Sequence, residues 1–272
     1  MNADPVAIEN VEIAAMTDFY RAAPSDFRAA HGIDVQSIGG ACCLACRDSG
    51  PTLMFRRILG LGITEPATRE GLNQACGYMG RLGEGYSVHL SPSAKPAALS
   101  AWLEDRGFTR AYAWMKFARP CTPLDASTDL KVHTIESAEA NAFGRVIVEG
   151  FGLDATLSPW IAALPGREKW ICAMAFADGA PVGAGAAFVD GHYAWLGFAA
   201  TLPEARRRGG QRALLALRLR EASARSASVA TVETGERLPG KPSDSYRNIL
   251  NAGFVEMYLR PNYLSPTRTG SN

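Results

Sequence analysis

The sequence predicts an α/β protein of the α+β kind, built from two tandem copies of one unit, and three observations carry that expectation. In residues 195–225 a continuous apolar run meets a turn with Pro203, three arginines and Gly209-Gly210. A helical repeat of Leu214, Leu215, Leu219 and Ala222 follows. The stretch recurs: Leu59-Gly60-Leu61, Thr64, Pro66 and Arg69 precede Leu196-Gly197-Phe198, Thr201, Pro203 and Arg206 by 137 positions. Both halves then close on a helix, a Gly-Phe pair (Gly107-Phe108, Gly253-Phe254) and a strand, here offset by 146. Colinear recurrence at this distance means a duplicated domain.

Composition narrows the classes. A chain of 272 residues is comfortable for two domains. With 47% hydrophobic and 20% charged residues it has a globular profile, and a net charge of +1 gives no global field toward nucleic acid or membrane. No apolar run reaches the ~18 residues of a membrane span, and the first residues carry acids where a signal peptide needs bases. A cytoplasmic protein with no nucleic-acid or membrane partner, monomeric or homodimeric, is expected. Cys43 and Cys46 form a C-x-x-C, but on a strand they point to opposite faces, and His31, His89, His133 and His192 lack ligand spacing. Reduced, buried thiols and no metal are expected.

In chain order, residues 11–22 read as a helix and 38–46 as a strand, with a turn over 47–51. Residues 53–61 read as a strand, 72–82 as a helix, 86–90 as a strand, 97–105 as a helix and 111–117 as a strand. Pro120, Pro123 and Ser127 mark a linker over 120–129, which divides a first domain (1–119) from a second (130–272). There, 138–148 reads as a helix, 153–166 as loop-rich, and 170–177, 182–189 and 193–200 as strands joined by Gly turns. Gly183 and Gly185 inside a strand signal a bulge or a close approach of backbone. Residues 229–233 read as a strand and 234–242 as a Gly/Pro loop. Ser243 or Ser245 caps a short helix through Leu250, Gly253 ends it, and 255–259 form the last strand.

A strand that breaks at a glycine turn and feeds a helix presents unpaired N–H groups at the helix start, where the dipole and nearby guanidinium groups favour an anion. The turn lacks the G-x-x-x-x-G-K-[ST] of a P-loop and the G-x-G-x-x-G of a Rossmann fold. Arg206-Arg207-Arg208-Gly209-Gly210-Gln211, preceded by Pro203, resembles motif A of the GNAT superfamily of N-acetyltransferases, [QR]-x-x-G-x-[GA]; it departs at Gln211. The ending of helix, Gly-Phe and strand is also how the GNAT fold finishes. The resemblance covers roughly the last third of the chain. It implies two tandem GNAT-like domains, each a mixed, mostly antiparallel sheet flanked by helices.

The same resemblance implies acetyl-CoA as co-substrate. Its pyrophosphate would lie on the turn of Arg206, Arg207, Arg208, Gly209, Gly210 and Gln211, and its pantetheine arm along Phe198, Ala199 and Ala200. Asn248 would hydrogen-bond the arm, and the thioester oxygen would meet the N–H of Phe198 or Ala200. For Glu233, at the end of its strand, two readings stand: a general base beside the arm, or a solvated strand-end glutamate. The family's acid, a tyrosine four residues before Gly-Phe, is replaced by Ile249. The first copy keeps Pro66 and Arg69 but has Glu70-Gly71-Leu72-Asn73 at the anion site, so it reads as a degenerate domain without acetyl-CoA. The expected activity is transfer of an acetyl group to a primary amine of a small molecule or peptide. The alternative is a non-catalytic CoA-binding or ligand-sensing module.

Overall fold

The described residues of the computed structural model are 3–47, 53–82, 85–240 and 243–266. Most of the expected turn over 47–51 and the end of the 234–242 loop lie outside them. In chain order the elements are helix α1 (Pro5–Ala22), helix α2 (Ser25–His31), and strands β1 (Asp34–Ile38), β2 (Ala41–Ala45) and β3 (Arg57–Leu59). Helix α3 (Arg69–Arg81), strand β4 (Ser87–His89), helix α4 (Leu99–Glu104) and strand β5 (Thr109–Pro120) complete the first half. The second half has strand β6 (Lys131–Thr134), helices α5 (Ala140–Phe151) and α6 (Ser158–Ile161), and strands β7 (Trp170–Ala177), β8 (Ala180–Asp190) and β9 (Tyr193–Thr201). Helix α7 (Gly210–Ala224), strand β10 (Val229–Gly235), helix α8 (Asp244–Asn251) and strand β11 (Val255–Leu264) end it.

Local chemistry explains the element ends. Asp4 caps α1 through the N–H of Val6, with Pro5 as the first helical residue, so this helix starts six residues earlier than its apolar spacing suggests. Ser243, not Ser245, caps α8. The apolar residues 38–46 are not one strand, because Gly39 and Gly40, both with positive φ, turn β1 into β2. Residues 53–55 form a short 3-10 helix, which leaves only Arg57–Leu59 as strand. Residues 155–157 and α6 put helical turns into the stretch expected to be loop. Cys42 and Cys46 pack in one core and Cys43 in another, on opposite faces, and burial pushes the Cys43 thiol up to about 12.

Among the described residues all eleven strands join one mixed sheet, ordered β1-β2-β3-β4-β11-β5-β10-β9-β8-β7-β6. Among these described strands, β3–β4 and β9–β10 pair in parallel, the crossovers that hold α3 and α7. Each half therefore has the same plan: an antiparallel run, a strand–turn–helix–parallel strand unit, a short helix and a long last strand. The halves do not close separately. β5 lies against β10 of the second half, and β11 lies against β4 of the first. β5 and β11 pair with each other at the centre, with Thr109 opposite Leu264 and Ala118 opposite Val255. The repeat offset of 146 carries Thr109 onto Val255 and Ala118 onto Leu264, so one pair is the image of the other. A pseudo-twofold axis runs between these strands.

Helices α1, α5 and α6 cover one face, and a single core there spans both halves, from Leu44 and Leu59 to Met174 and Trp195. On the other face α3 and α4 pack over the first half and α7 and α8 over the second. Trp160, fully buried, donates from Nε1 to the Phe19 carbonyl at 2.8 Å, which fastens α6 to α1.

Candidate functional site

The site grows out of β9. Its pairing with β10 ends at Leu196 and Val232, while its pairing with β8 continues to Thr201. Beyond Leu196 the two parallel strands part. At the same place β9 bulges: Phe198 and Ala199 face the single residue Gly185 of β8. Phe198 adopts φ +47°, a left-handed conformation that costs a non-glycine residue about 1 kcal/mol or more. The bulge has a prop. Arg218 of α7, 2% exposed, donates to the Ala186 carbonyl at 2.9 Å and the Gly197 carbonyl at 3.4 Å. A Cβ on Gly185 would lie 2.8 Å from the Arg218 Cζ, so that glycine makes room for the guanidinium. Burial draws the Arg218 pKa down to about 10, which leaves it charged at neutral pH. Sequence reasoning missed Arg218, although the strand glycines pointed toward it.

From the bulge the chain enters the arginine turn and α7. Arg207 (φ +63°) and Gly209 (φ +77°) are both left-handed, and the N-cap Gly209 offers no side chain to the first N–H groups of the helix. A cleft of about 660 Å³ opens here, lined by Ala199, Ala200 and Thr201, by Arg206, Arg207 and Gly209 to Arg212, and by Asp244, Ser245, Arg247, Asn248, Ile249 and Asn251 of α8. Eight of the residues read from the sequence meet in it: Ala199, Ala200, Arg206, Arg207, Gly209, Gly210, Gln211 and Asn248. The Asn248 Nδ2 donates to Gln211 Oε1 at 2.7 Å, joining α8 to the helix start. Gly150 of α5 lines the far wall, where a Cβ would come 2.5 Å from that of Ala200.

Three expected residues sit elsewhere. Arg208 turns out of the cleft and pairs with Asp129, its carbonyl accepting from Thr128 Oγ1 at 2.6 Å. The Phe198 ring is not among the cleft lining; it packs toward α1, 4.9 Å from Phe19 and 5.7 Å from Trp195. Glu233 is neither solvated nor free: Lys116 Nζ (2.9 Å) and Arg260 Nη2 (2.7 Å) both donate to its Oε2, and its side chain is 11% exposed. Glycine at 209 also makes room for the linker, since a Cβ would meet the Ser127 carbonyl at 2.2 Å. The same glycine lines the cleft, so it serves both the linker and the turn.

Glu233 belongs to a buried network across the pseudo-twofold axis. Glu12 of α1 accepts from Lys116 Nζ and Arg260 Nη1, both at 2.5 Å; Glu9 accepts from Arg260 at 3.0 Å, and Arg57 lies 3.9 Å from Glu12. Three carboxylates thus face three cations, the balance that makes buried charge tolerable. Burial works against ionised Glu12, but Arg260 and Lys116 hold its carboxyl well below the carboxylate range. Arg260 also donates to His89 Nδ1 at 3.3 Å, so the proton of neutral His89 sits on Nε2, facing Ser87 Oγ at 3.1 Å. Burial first, then Arg260 and Arg57, keeps the His89 pKa well below 6.5.

The matching place in the first half is closed. Thr68 Oγ1 accepts from the Gly71 N–H at 3.0 Å, which caps α3 from within the chain, and Glu70 supplies the negative charge its dipole favours. The β1–β2 turn sits on that helix end, where a Cβ on Gly39 would lie 2.4 Å from Gly71 Cα. Arg69 stacks over Trp102, its Cζ 4.7 Å from the ring centroid. The turn after β3 is closed by the loop at Lys95, whose N–H donates to the Gly62 carbonyl and whose carbonyl accepts from the Ala67 N–H, both at 2.8 Å.

A bulged strand that leaves its parallel neighbour and feeds an uncapped, arginine-bearing helix start is the arrangement of the GNAT acetyltransferase fold, and the chain has that fold. A GCN5-related N-acetyltransferase from Sphaerobacter thermophilus is similar to it with a TM-score of 0.61 at 13% identity, over 90% of this chain and 85% of the other. One from Kribbella flavida gives 0.59 at 17% identity, over 86% and 90%. A tandem GNAT protein from the clavulanic acid biosynthesis pathway gives 0.59 at 17%, over 86% and 80%. Neither a family model nor a curated protein matches the sequence. Among the described residues no helix is long and apolar enough to cross a membrane, and no group of His, Cys, Asp or Glu has the arrangement of a metal site.

Proposed function

We propose that the chain is an acetyl-CoA-dependent N-acyltransferase whose second half holds the coenzyme. The observation that carries this reading is the continuous path from the parting of β9 and β10 to the uncapped start of α7. The residues fit acetyl-CoA. N–H groups of 207–211 and the Arg206 and Arg207 guanidinium groups suit a pyrophosphate, and the unpaired edge of β9 suits an amide-bearing arm. The thioester carbonyl would accept from the N–H of Phe198 or Ala200. The acceptor amine attacks the carbonyl carbon, the C–N bond forms and the C–S bond breaks. The thiolate leaves, and the amine's proton passes to a base or to water. Glu233 is the candidate base, with its two ion pairs through Oε2 fixing the carboxylate. The acceptor is a primary amine of a small molecule or peptide.

One observation favours the second reading, a CoA-binding module without catalysis. Ile249 stands at the tyrosine position, and the nearest tyrosine of α8, Tyr246, gives its hydroxyl to Glu256 at 2.6 Å. Free-thiol release from acetyl-CoA against a panel of amines separates the two. Amine-dependent release supports the enzyme, and tight binding of acetyl-CoA with no release supports the module.

A further inference from the structure

We infer that the Phe198 ring limits the acyl group that the site accepts to two or three carbons. The inference rests on the acyl-CoA reading above, since it places the thioester at the bulge of β9. The bulge needs a left-handed residue, and glycine meets that need without strain. In the first half the residue 137 positions earlier, Leu61, is not left-handed; the left-handed positions there are its glycine neighbours, Gly60 (φ +74°) and Gly62 (φ +75°), against +47° for Phe198 itself. The second half instead keeps a bulky residue in a conformation that side chains disfavour, beside the point where β9 and β10 part. A strained non-glycine residue at such a place is held for its side chain.

That side chain forms part of a rigid wall. Phe198 packs on Phe19 and Trp195, with Trp170 at 6.2 Å, and Phe19 stacks on Trp160 at 4.2 Å with an 8° tilt. The Trp195 ring lies over Gly197, where a Cβ would be 1.9 Å from its Cη2, so it cannot swing toward the strand. Phe19, Trp160, Trp170 and Trp195 are buried, whereas Phe198 keeps part of its surface open. An acyl chain that passes from the cleft through the parting of β9 and β10 would reach the α1 side, where Phe198 is the one ring of the five with free surface, backed by four buried ones. Each methylene beyond that contact needs space the wall does not give.

The test is calorimetry of the full chain with free CoA, acetyl-, propionyl-, butyryl- and hexanoyl-CoA. Relative to free CoA, the inference expects acetyl- and propionyl-CoA to bind at least as well. Hexanoyl-CoA should bind 10-fold or more weakly, the scale of discrimination that methylenes provide against a fixed apolar wall. Phe198→Gly, which suits the left-handed φ, should raise the hexanoyl-to-CoA affinity ratio at least 10-fold, and Phe198→Leu should raise it less. Equal affinity for all chain lengths in the unaltered protein overturns the inference while the CoA site stands. Binding of none of the five overturns the underlying reading instead. If Phe198→Gly fails to fold, the series on the unaltered protein and on Phe198→Leu still decides the matter. A ratio that Phe198→Leu leaves unchanged assigns the wall elsewhere.

Discussion

Lys116 and Glu233 are register partners across β5 and β10, with Nζ 2.9 Å from Oε2, although one belongs to each half of the duplicated chain. The exchange of last strands puts them there. The same exchange delivers Arg260 from β11, so the sheet's centre is held by charges that neither half could assemble alone. Lys116→Met leaves the carboxylates of this set with an unpaired buried charge and should cost about 3–5 kcal/mol in urea unfolding. The double variant Lys116→Met/Glu233→Gln should recover part of that loss. Strictly additive losses would mean the two groups are energetically independent.

Glu233→Gln tests chemistry and support together. As a general base its loss should lower thiol release by roughly 10²-fold or more, with little effect on CoA affinity. The melting temperature of the same sample reads the structural contribution, and activity is taken well below it. Near-normal release from folded protein would assign the carboxylate to the network alone.

His89 and Glu12 set the direction of the pH dependence. Both have folded-state pKa values depressed below their ordinary 6.5 and 4.5. For a depressed group the unfolded chain binds the proton more tightly, so stability is present above the unfolded value and is lost as pH falls toward the folded one. Stability should therefore decline from about pH 6.5 downward through His89, and further below about pH 4.5 through Glu12. His89→Gln should flatten the upper part of the decline. Urea midpoints between pH 8 and pH 4 measure both.

Gly209 and Gly210 should behave unlike each other. A side chain at 209 meets a left-handed φ and the Ser127 carbonyl, so Gly209→Val should lower both melting temperature and CoA affinity. At 210 a Cβ meets only the terminal Cδ1 of Leu130, at 2.7 Å, and that side chain can shift. Gly210→Ala should cost less than about 1 kcal/mol. Full CoA binding by folded Gly209→Val would remove the turn from the site.

Titration with acetyl-CoA should reach one equivalent per chain, in the second half. Thr68, the Gly39–Gly40 turn and the Lys95 loop close the corresponding place in the first. Arg208→Ala should leave affinity nearly unchanged, because that side chain is committed to Asp129, while Arg206→Ala should weaken it about 10-fold. Two equivalents bound would mean that the first half opens.

The sequence by itself determined the local units. The apolar run, the turn and the 3.6-residue repeat specified β9, its turn and α7, and their recurrence specified the duplication, because strand and helix periods are written into neighbouring residues. Eight of the cleft's residues were legible for the same reason: they occupy one turn, its flanking strand and a facing helix. The tertiary structure alone decided which strand lies beside which. β5 and β11 carry no mark of being exchanged, since pairing register depends on partners more than a hundred residues away. That decision placed Glu233 between Lys116 and Arg260 rather than in water. It also set Arg218 under the bulge and Phe198 against Phe19, where long-range packing overrides the preference of a single residue for its own backbone conformation.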